Sequence, residues 1–316
     1  MKLIAFAGLL TCIAVSPAYA GFANLAPLTA PVLELHASVT ATSWCCAWSV
    51  PIPAISEQGG PGLPKLELIA HKLGNHRSSA SAVALDNLGY KYQKGLGVGK
   101  DEAKARSLYQ QAADAGLPSG IRNLGFMFAN GLGGPKDLRQ AAELYERASA
   151  AGDGTAANNL GLMYDDGRGV VADPAKAAEL YQVAIRRGNV AAKYNLGLLY
   201  AKGNGFPKDL AKAMSLFREA ARQGDAEAMY EVGLSYDLGR SVPVDFVQAA
   251  KWVAKSIAAG SEFALNEMNG NHNKWELPFL VALQKELASR RLYKGPTDGA
   301  WNDAMPAALR KLAGRA

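Results

Sequence analysis

The residues that most often do chemistry are few in this chain, and they do not form a catalytic or metal-binding set. None of the four histidines has a second histidine or a cysteine at i+3 or i+4, where two side chains share one face of a helix. The sequence contains no G-x-S-x-G motif and no phosphate-binding loop. It therefore predicts no catalytic residue, no metal site and no cofactor. The histidines are His36, His71, His76 and His272.

Acidic side chains are the remaining candidates for a reaction. Asp165, Asp166 and Asp237 lie near the ends of predicted helices, and we interpret them as solvated charges. Two carboxylates of a glycoside hydrolase need to meet only in the folded protein, so hydrolysis stays open as an alternative. The favoured prediction is a protein that binds a partner and does not catalyse a reaction.

The charge pattern indicates which partners to expect. The formal net charge is only +6 over 316 residues. There is no run of five or more Lys and Arg residues and no alternation of basic with aromatic residues, so nothing supports nucleic-acid binding. We therefore predict a protein partner and no nucleic acid.

The first 20 residues have the pattern of a secretory signal. Lys2 precedes an apolar run from Leu3 to Val15, and Ala18 and Ala20 supply the small residues of a cleavage site. The apolar run is shorter than the roughly 20 residues of a membrane-spanning helix. We expect cleavage after Ala20 and a mature protein that is soluble in the periplasm or secreted, with a lipid or helix anchor as the alternative.

Cleavage would remove Cys12 and leave the neighbouring Cys45 and Cys46. Neighbouring Cα atoms are about 3.8 Å apart, below the ~4.4 Å minimum of ordinary disulfides, so a bond between these two is strained. An intermolecular bridge and a metal-binding role are alternatives to a segment without special chemistry.

A repeat of 36 residues occupies most of the sequence. Four kinds of position recur in one register, which is typical of stacked repeat architectures. They start at Leu88-Gly89, Gly95, Asp101 and Gly116, and the last Gly of the series is Gly260. Five units follow one another without an insertion, at 81–116, 117–152, 153–188, 189–224 and 225–260.

Each unit is predicted to contain two helices. In the third unit the first helix runs from about Thr155 to Asp165 and ends at Gly167, a left-handed stop residue. Asp173 is the expected N-cap of a second helix that continues to about Arg187. One pair cannot bury its apolar stripes alone, whereas stacked pairs can. The predicted fold class is all-α, an α/α superhelical solenoid of five helix pairs plus a small C-terminal helical module.

The segment NLGLMYDDGRGVVADPAKAAELYQVAIRRG (159–188) resembles a Sel1-like repeat, a relative of the tetratricopeptide repeat, and 195–224 resembles it equally. The resemblance extends over all five units. It implies a right-handed superhelix with the first helices on the concave face. It also implies that the protein functions as a scaffold or adaptor. The fifth unit departs from the pattern at Glu231, which replaces Asn, and at Ser241, which replaces the second loop Gly.

A glycine recurs inside every first helix, although each one costs about 1 kcal/mol relative to Ala. Its recurrence predicts a close approach between the two helices of a unit. We expect the aromatic column of the second helices to pack over it, namely Tyr109, Tyr145, Tyr181 and Phe217.

Two columns of the first helices are candidates for binding a partner. In related tetratricopeptide solenoids, inner-face Asn side chains hold a peptide backbone through their amides, and an internal ladder between repeats is the alternative. The column before the Asn residues, Asp86 to Tyr230, changes character from unit to unit, so we expect it to face the groove. The predicted contacts are Asn87, Asn123, Asn159, Asn195, Arg122, Tyr194 and Tyr230.

Residues 277–314 break the repeat and predict two helices around a turn, KGPTDG. They resemble the peptidoglycan-binding domain of cell-wall enzymes. Asn302 departs from the family's usual Gly, and the family's third helix is either missing or supplied by residues upstream. The matching residues are Leu283-Gln284, Leu287, Leu292-Tyr293, Gly295, Asp298-Gly299, Trp301 and Ala308-Leu309.

The resemblance implies contact with peptidoglycan through Tyr293, Gly295, Asp298, Gly299 and Trp301. The Asp-Gly pair is structural in that family, so these two residues are expected to shape the fold. Tyr293 and Trp301 would offer aromatic faces to sugar rings. The alternative is a degenerate module that serves only for packing.

The remaining segments connect these parts. Residues 21–80 are predicted to be a mostly irregular linker with a candidate capping helix at 63–74, and residues 261–276 a partial sixth repeat and linker. The chain as a whole is predicted to be an exported adaptor that holds a partner protein in its groove and associates with peptidoglycan. A periplasmic regulator that binds a membrane sensor, and a cell-wall-modifying enzyme or its activator, are the alternatives.

Overall fold

The computed structural model describes residues 79–315. In this part of the chain 13 α-helices follow one another, together with one short 3₁₀-helix, and no strand occurs. The predicted signal sequence, the linker up to residue 78, the candidate capping helix and the two neighbouring cysteines lie outside the described residues. The prediction of an all-helical solenoid is confirmed.

The first five pairs of helices are the repeat units, and three further helices complete the chain. The helices are α1 Ser79–Lys94, α2 Glu102–Asp114, α3 Pro118–Asn130, α4 Leu138–Ala150, α5 Gly154–Asp166, α6 Pro174–Arg186, α7 Ala191–Lys202, α8 Leu210–Arg222, α9 Ala226–Asp237, α10 Phe246–Ala258, α11 Glu262–Asn271, α12 Leu277–Ser289 and α13 Ala304–Leu312, with the 3₁₀-helix at His272–Lys274.

Local signals set the ends of these helices. In the third unit, Asp173 caps α6 by accepting a hydrogen bond from the backbone N–H of Lys176 at 3.0 Å. Gly167 ends α5 with a left-handed φ of 68°. The predicted cap and stop residues of this unit are therefore confirmed.

The glycine inside each first helix lies against the second helix of its own unit, as predicted. A Cβ atom added to Gly161 would stand 2.7 Å from Cε1 of Tyr181, a distance that carbon atoms in proteins do not adopt. The corresponding distance is 2.8 Å for Gly89 to Tyr109 and 2.6 Å for Gly197 to Phe217. The cost of glycine in the helix is thus offset by closer packing of the pair.

The units stack so that each second helix packs against the first helix of the following unit. Successive first helices also contact each other directly, as in the pairs α1 with α3, α5 with α7 and α9 with α11. This direct approach of first helices places them together on one side of the stack, which we call the inner face.

The C-terminal helices continue the core of the last unit. Helix α12 packs on α10, and buried residues of both belong to one hydrophobic cluster with α13. Val253 and Ile257 of α10 contribute to this cluster together with Phe279, Leu283 and Leu309. The C-terminal segment therefore covers the apolar face that the last repeat would otherwise expose.

Two tyrosines of the aromatic column differ in one hydrogen bond, so removal of their hydroxyl groups should change stability in opposite directions. The hydroxyl of Tyr109 donates to Oε1 of Gln93 at 2.9 Å, whereas the buried hydroxyl of Tyr181 has no partner among residues 79–315. Because an unpaired buried hydroxyl costs about 1–3 kcal/mol, Tyr181→Phe is expected to raise the free energy of unfolding by about 1 kcal/mol. Tyr109→Phe should lower it by about the same amount.

Chemical denaturation of both variants measures the two changes. Unit four already carries Phe217 at this position, so the ring without a hydroxyl fits the site. Equal destabilisation by Tyr181→Phe and Tyr109→Phe would contradict the assignment of an unpaired hydroxyl.

Candidate functional site

An apolar column runs along the inner face and was missed by the sequence analysis. Each member directly follows the mid-helix glycine and comes three residues after the Asn column, so both columns lie on the same side of the first helices. Tyr90 and Phe126 are 49% and 42% exposed. The spacing of 36 residues was a signal that could have revealed it. The column consists of Tyr90, Phe126, Leu162, Leu198 and Leu234.

The Asn column forms part of an internal ladder. Nδ2 of Asn123 donates to Oδ1 of Asp86 at 2.8 Å, and Nδ2 of Asn195 donates to Oδ1 of Asn158 at 2.8 Å. Each bond joins one unit to the next. At these two positions the ladder left open by the sequence is present, and it positions the amides beside the apolar column.

The other two Asn residues behave differently. Asn159 lies near the hydroxyl of Tyr145, whose pKa burial raises to about 12. Asn87 is half-buried in the first unit. The ladder is therefore not continuous along the solenoid.

Arg122 joins two units and is not a free groove charge. Its Nε donates to Oδ2 of Asp153 at 2.9 Å. The same carboxylate caps α5 through its other oxygen, which accepts from the N–H of Ala156 at 2.8 Å. The guanidinium is thus neutralised by the cap of the following helix.

The prediction that the variable column faces the groove is wrong for Asn158, and Tyr230 reaches the groove only as the buried base of a cleft at its C-terminal end. Asn158 is buried, and Tyr230 is only 4% exposed because Phe263 and Trp275 pack against its ring. Tyr194 is half-buried and contacts Phe217 with a ring separation of 5.9 Å. The column lies where one first helix meets the next. The neighbouring helix therefore determines how far each of its side chains is buried.

The C-terminal end of the inner face contains both acidic and basic side chains, including Arg240 and Lys274. The acidic residues Glu231, Asp237 and Glu267 lie around one cleft there. Burial raises the pKa of Glu231, and burial together with the nearby charge of Glu276 raises the pKa of Asp237 to about 6. Among residues 79–315 no group of three His, Cys, Asp or Glu side chains is arranged to hold a metal ion.

The predicted peptidoglycan contact at Tyr293 is contradicted by its burial. Tyr293 is 3% exposed, its hydroxyl donates to the carbonyl of Pro296 at 3.0 Å, and it accepts from Nδ2 of Asn302 at 2.7 Å. Gly295 lies directly against this ring. Trp301 is half-buried and stacks on His272, with the two rings 4.4 Å apart.

The turn between α12 and α13 is held by a buried amide. Gln284 is 1% exposed, and its side chain accepts from the N–H of Gly299 and donates to the carbonyl of Ala300, each at 2.8 Å. Oδ1 of Asp298 accepts from the N–H of Ala300 at 2.9 Å. Both residues of the Asp-Gly pair are therefore engaged in the turn itself. Gln284, which the sequence analysis named only as a residue matching the peptidoglycan-binding domain, is a structural residue.

The helices of the described part are all too short or too polar to cross a bilayer.

Comparison with known structures supports the fold of the solenoid. A Sel1 repeat protein from Oxalobacter formigenes is 27% identical, and the similarity covers 67% of this chain and 91% of that one with a TM-score of 0.55. The protective antigen c5321 of uropathogenic Escherichia coli, which displays an SLR fold, is 26% identical with a TM-score of 0.55. There the similarity covers 74% of this chain and only 54% of the other. None of the curated proteins compared with the chain matches it significantly.

The family comparison gives the same result for the repeats. The model of the Sel1 repeat matches residues 82–117, 118–153, 154–189, 190–225 and 226–261. Each match begins one residue after the corresponding repeat unit predicted from the sequence. Proteins built from this repeat are scaffolds that mediate protein–protein interaction. Because the matched residues make up more than half of the chain, this protein belongs to the Sel1 repeat family.

Proposed function

We propose that this protein is a non-enzymatic scaffold that binds a segment of a partner protein along its inner face. The observation that carries the proposal is the apolar column from Tyr90 to Leu234, which follows the first helices through all five units and is exposed at Tyr90 and Phe126 and half-buried in the other three units. Apolar side chains left in water on one continuous face are typical of interaction surfaces. The partner is therefore a peptide or helix with an apolar face.

The two ladder bonds each fix one first helix against the next. Bonds such as Asn195 to Asn158 hold neighbouring first helices in register, so the apolar side chains are placed before a partner arrives. A preorganised surface loses less conformational entropy on binding. The Asn residues thus support the proposal by positioning the apolar column beside them.

Export and association with peptidoglycan belong to the same proposal but have separate support. Export rests on the signal-like residues 1–20. Association with the cell wall rests on the resemblance of residues 277–314, with Trp301 as the aromatic ring that remains half-exposed. A solenoid that holds a partner and is positioned at the wall would act as an envelope adaptor.

Affinity purification with two matched double variants tests the binding surface. Tyr90→Ser with Phe126→Ser removes the two most exposed rings of the apolar column. Val171→Ser with Val247→Ser removes two exposed apolar side chains outside that column. The partner that co-purifies with the unaltered protein is identified by mass spectrometry and quantified in each variant.

Recovery of that partner is expected to fall at least ten-fold with the first double variant and to stay unchanged with the second. All four side chains are exposed, so circular dichroism should show both variants folded. Equal recovery with the two double variants would show that the apolar column is not the binding surface.

A further inference from the structure

A cleft of about 370 Å³ closes the inner face at its C-terminal end, between α9 and α11. Tyr230 forms its base, with Phe263 and Trp275 meeting this ring edge-on at ring separations of 5.3 and 6.3 Å. Phe263 is itself 53% exposed. Three aromatic rings thus line one concave site that is continuous with Leu234 of the apolar column.

The charged residues of this cleft are predominantly acidic. Glu231, Asp237 and Glu267 line it, against two basic residues, Arg240 and Lys274. Glu276 lies near enough to act on Asp237 as a further negative charge. The cleft therefore carries a small excess of negative charge, which favours a cation over an anion.

Asp237 is the carboxylate with unmet bonding capacity. Its Oδ1 is buried and has no hydrogen-bond partner within residues 79–315, so neither Arg240 nor Lys274 satisfies it. A buried acceptor without a donor costs about 1–3 kcal/mol, and a charged one costs more. A cation brought into the cleft would offset this cost through its charge.

The chemistry of the walls distinguishes between possible occupants. An apolar side chain would bury Asp237 further without supplying a donor. A basic side chain supplies both parts of the match, because its aliphatic stem packs on aromatic faces and its charged end pairs with carboxylates. The cleft is also large enough for one long side chain.

From these features we infer that the cleft receives a Lys or Arg side chain of the partner segment, with Phe263 and Trp275 against the stem, Tyr230 at the base beneath them, and Asp237 pairing with the cation. The inference rests on the proposed function, since it assigns one contact within the same groove. It specifies a partner with an apolar stretch that is followed or preceded by a basic residue.

Calorimetric titration with two synthetic peptides tests the inference. Both are blocked leucine-rich peptides, one with a single arginine and the other with citrulline, the neutral isostere, at the same position. The protein variants are Asp237→Asn and, as a matched control, Asp165→Asn. Asp165 occupies the same repeat position two units earlier, where Oδ1 accepts a hydrogen bond from Asn204 at 3.2 Å.

The arginine peptide is expected to bind the unaltered protein at least ten-fold more tightly than the citrulline peptide. Asp237→Asn should abolish this preference, and Asp165→Asn should leave it intact. Equal affinity for the two peptides, or binding of neither, overturns the inference. So does self-association of the protein that Asp237→Asn abolishes, because the cleft would then belong to a second copy.

The proposed function has its own, separate test. If the two peptides bind equally and both lose affinity with Tyr90→Ser and Phe126→Ser, the groove is a binding surface and only the basic contact is refuted. If the double variant leaves partner recovery unchanged, the proposed function itself fails.

Discussion

Replacing Gly161 with alanine is expected to lower the melting temperature by about 5 °C, although alanine is the better helix former. The added methyl group would meet Cε1 and Cδ1 of Tyr181 at 2.7 and 2.8 Å. Tyr181 has no exposed surface, so its ring cannot move away into solvent. Overpacking of this kind costs about 1–3 kcal/mol, which outweighs the gain of about 1 kcal/mol in helix propensity.

Gly270 provides the matched control for this substitution. It also has a helical backbone, in the last turn of α11, but no atom stands within 4 Å of a Cβ added there. Gly270→Ala is therefore expected to leave the melting temperature unchanged or to raise it slightly. Thermal denaturation followed by circular dichroism measures both variants. An equal rise of the melting temperature in both variants would show that packing does not require a residue without a side chain at Gly161.

Gln284→Leu is expected to destabilise the C-terminal segment by about 3 kcal/mol. Leucine has nearly the volume of glutamine, but it cannot accept from the N–H of Gly299 or donate to the carbonyl of Ala300. Gly299 is buried, so its N–H would lose its partner without gaining water. Each orphaned backbone group costs about 1–3 kcal/mol.

Hydrogen exchange at residues 294–303, together with the melting temperature, measures this effect. The control is Lys285→Leu, which adds the same side chain at the next position of α12, where the residue is exposed. Faster exchange is expected in the turn for the Gln284 variant and normal exchange for the control. Unchanged exchange in both variants would mean that other contacts hold the turn.

The repeat architecture could be predicted because its signals are local. Caps such as Asp173 and stop residues such as Gly167 act within one turn of a helix, and a periodic pattern repeats these signals in each unit. The close contact between Gly161 and Tyr181 was also predictable, because the glycine and the aromatic residue recur at a fixed spacing in the repeats. Contacts within one unit can thus be predicted from the sequence.

Contacts between units could be predicted less well from the sequence. The sequence identified the Asn column but could not decide between a partner contact and a ladder, since the choice depends on the side chain opposite. Asn123 finds Asp86 there, whereas Asn159 lies near the hydroxyl of Tyr145. Tyr194 and Tyr230 belong to one column, yet only Tyr230 is covered by aromatic rings that come from beyond the last complete unit.

By itself the sequence determined the helix pairs, the five-fold stacking and the family, because each depends on residues near one another in the chain and on their repetition. Only the tertiary structure decided which inner-face residues are exposed, how α12 and α13 share the core of the last unit, and that Asp237 lies in an aromatic cleft. These features depend on which surfaces meet after folding. A repeat pattern does not contain that information at the end of the stack, where the neighbouring surface is no longer a repeat.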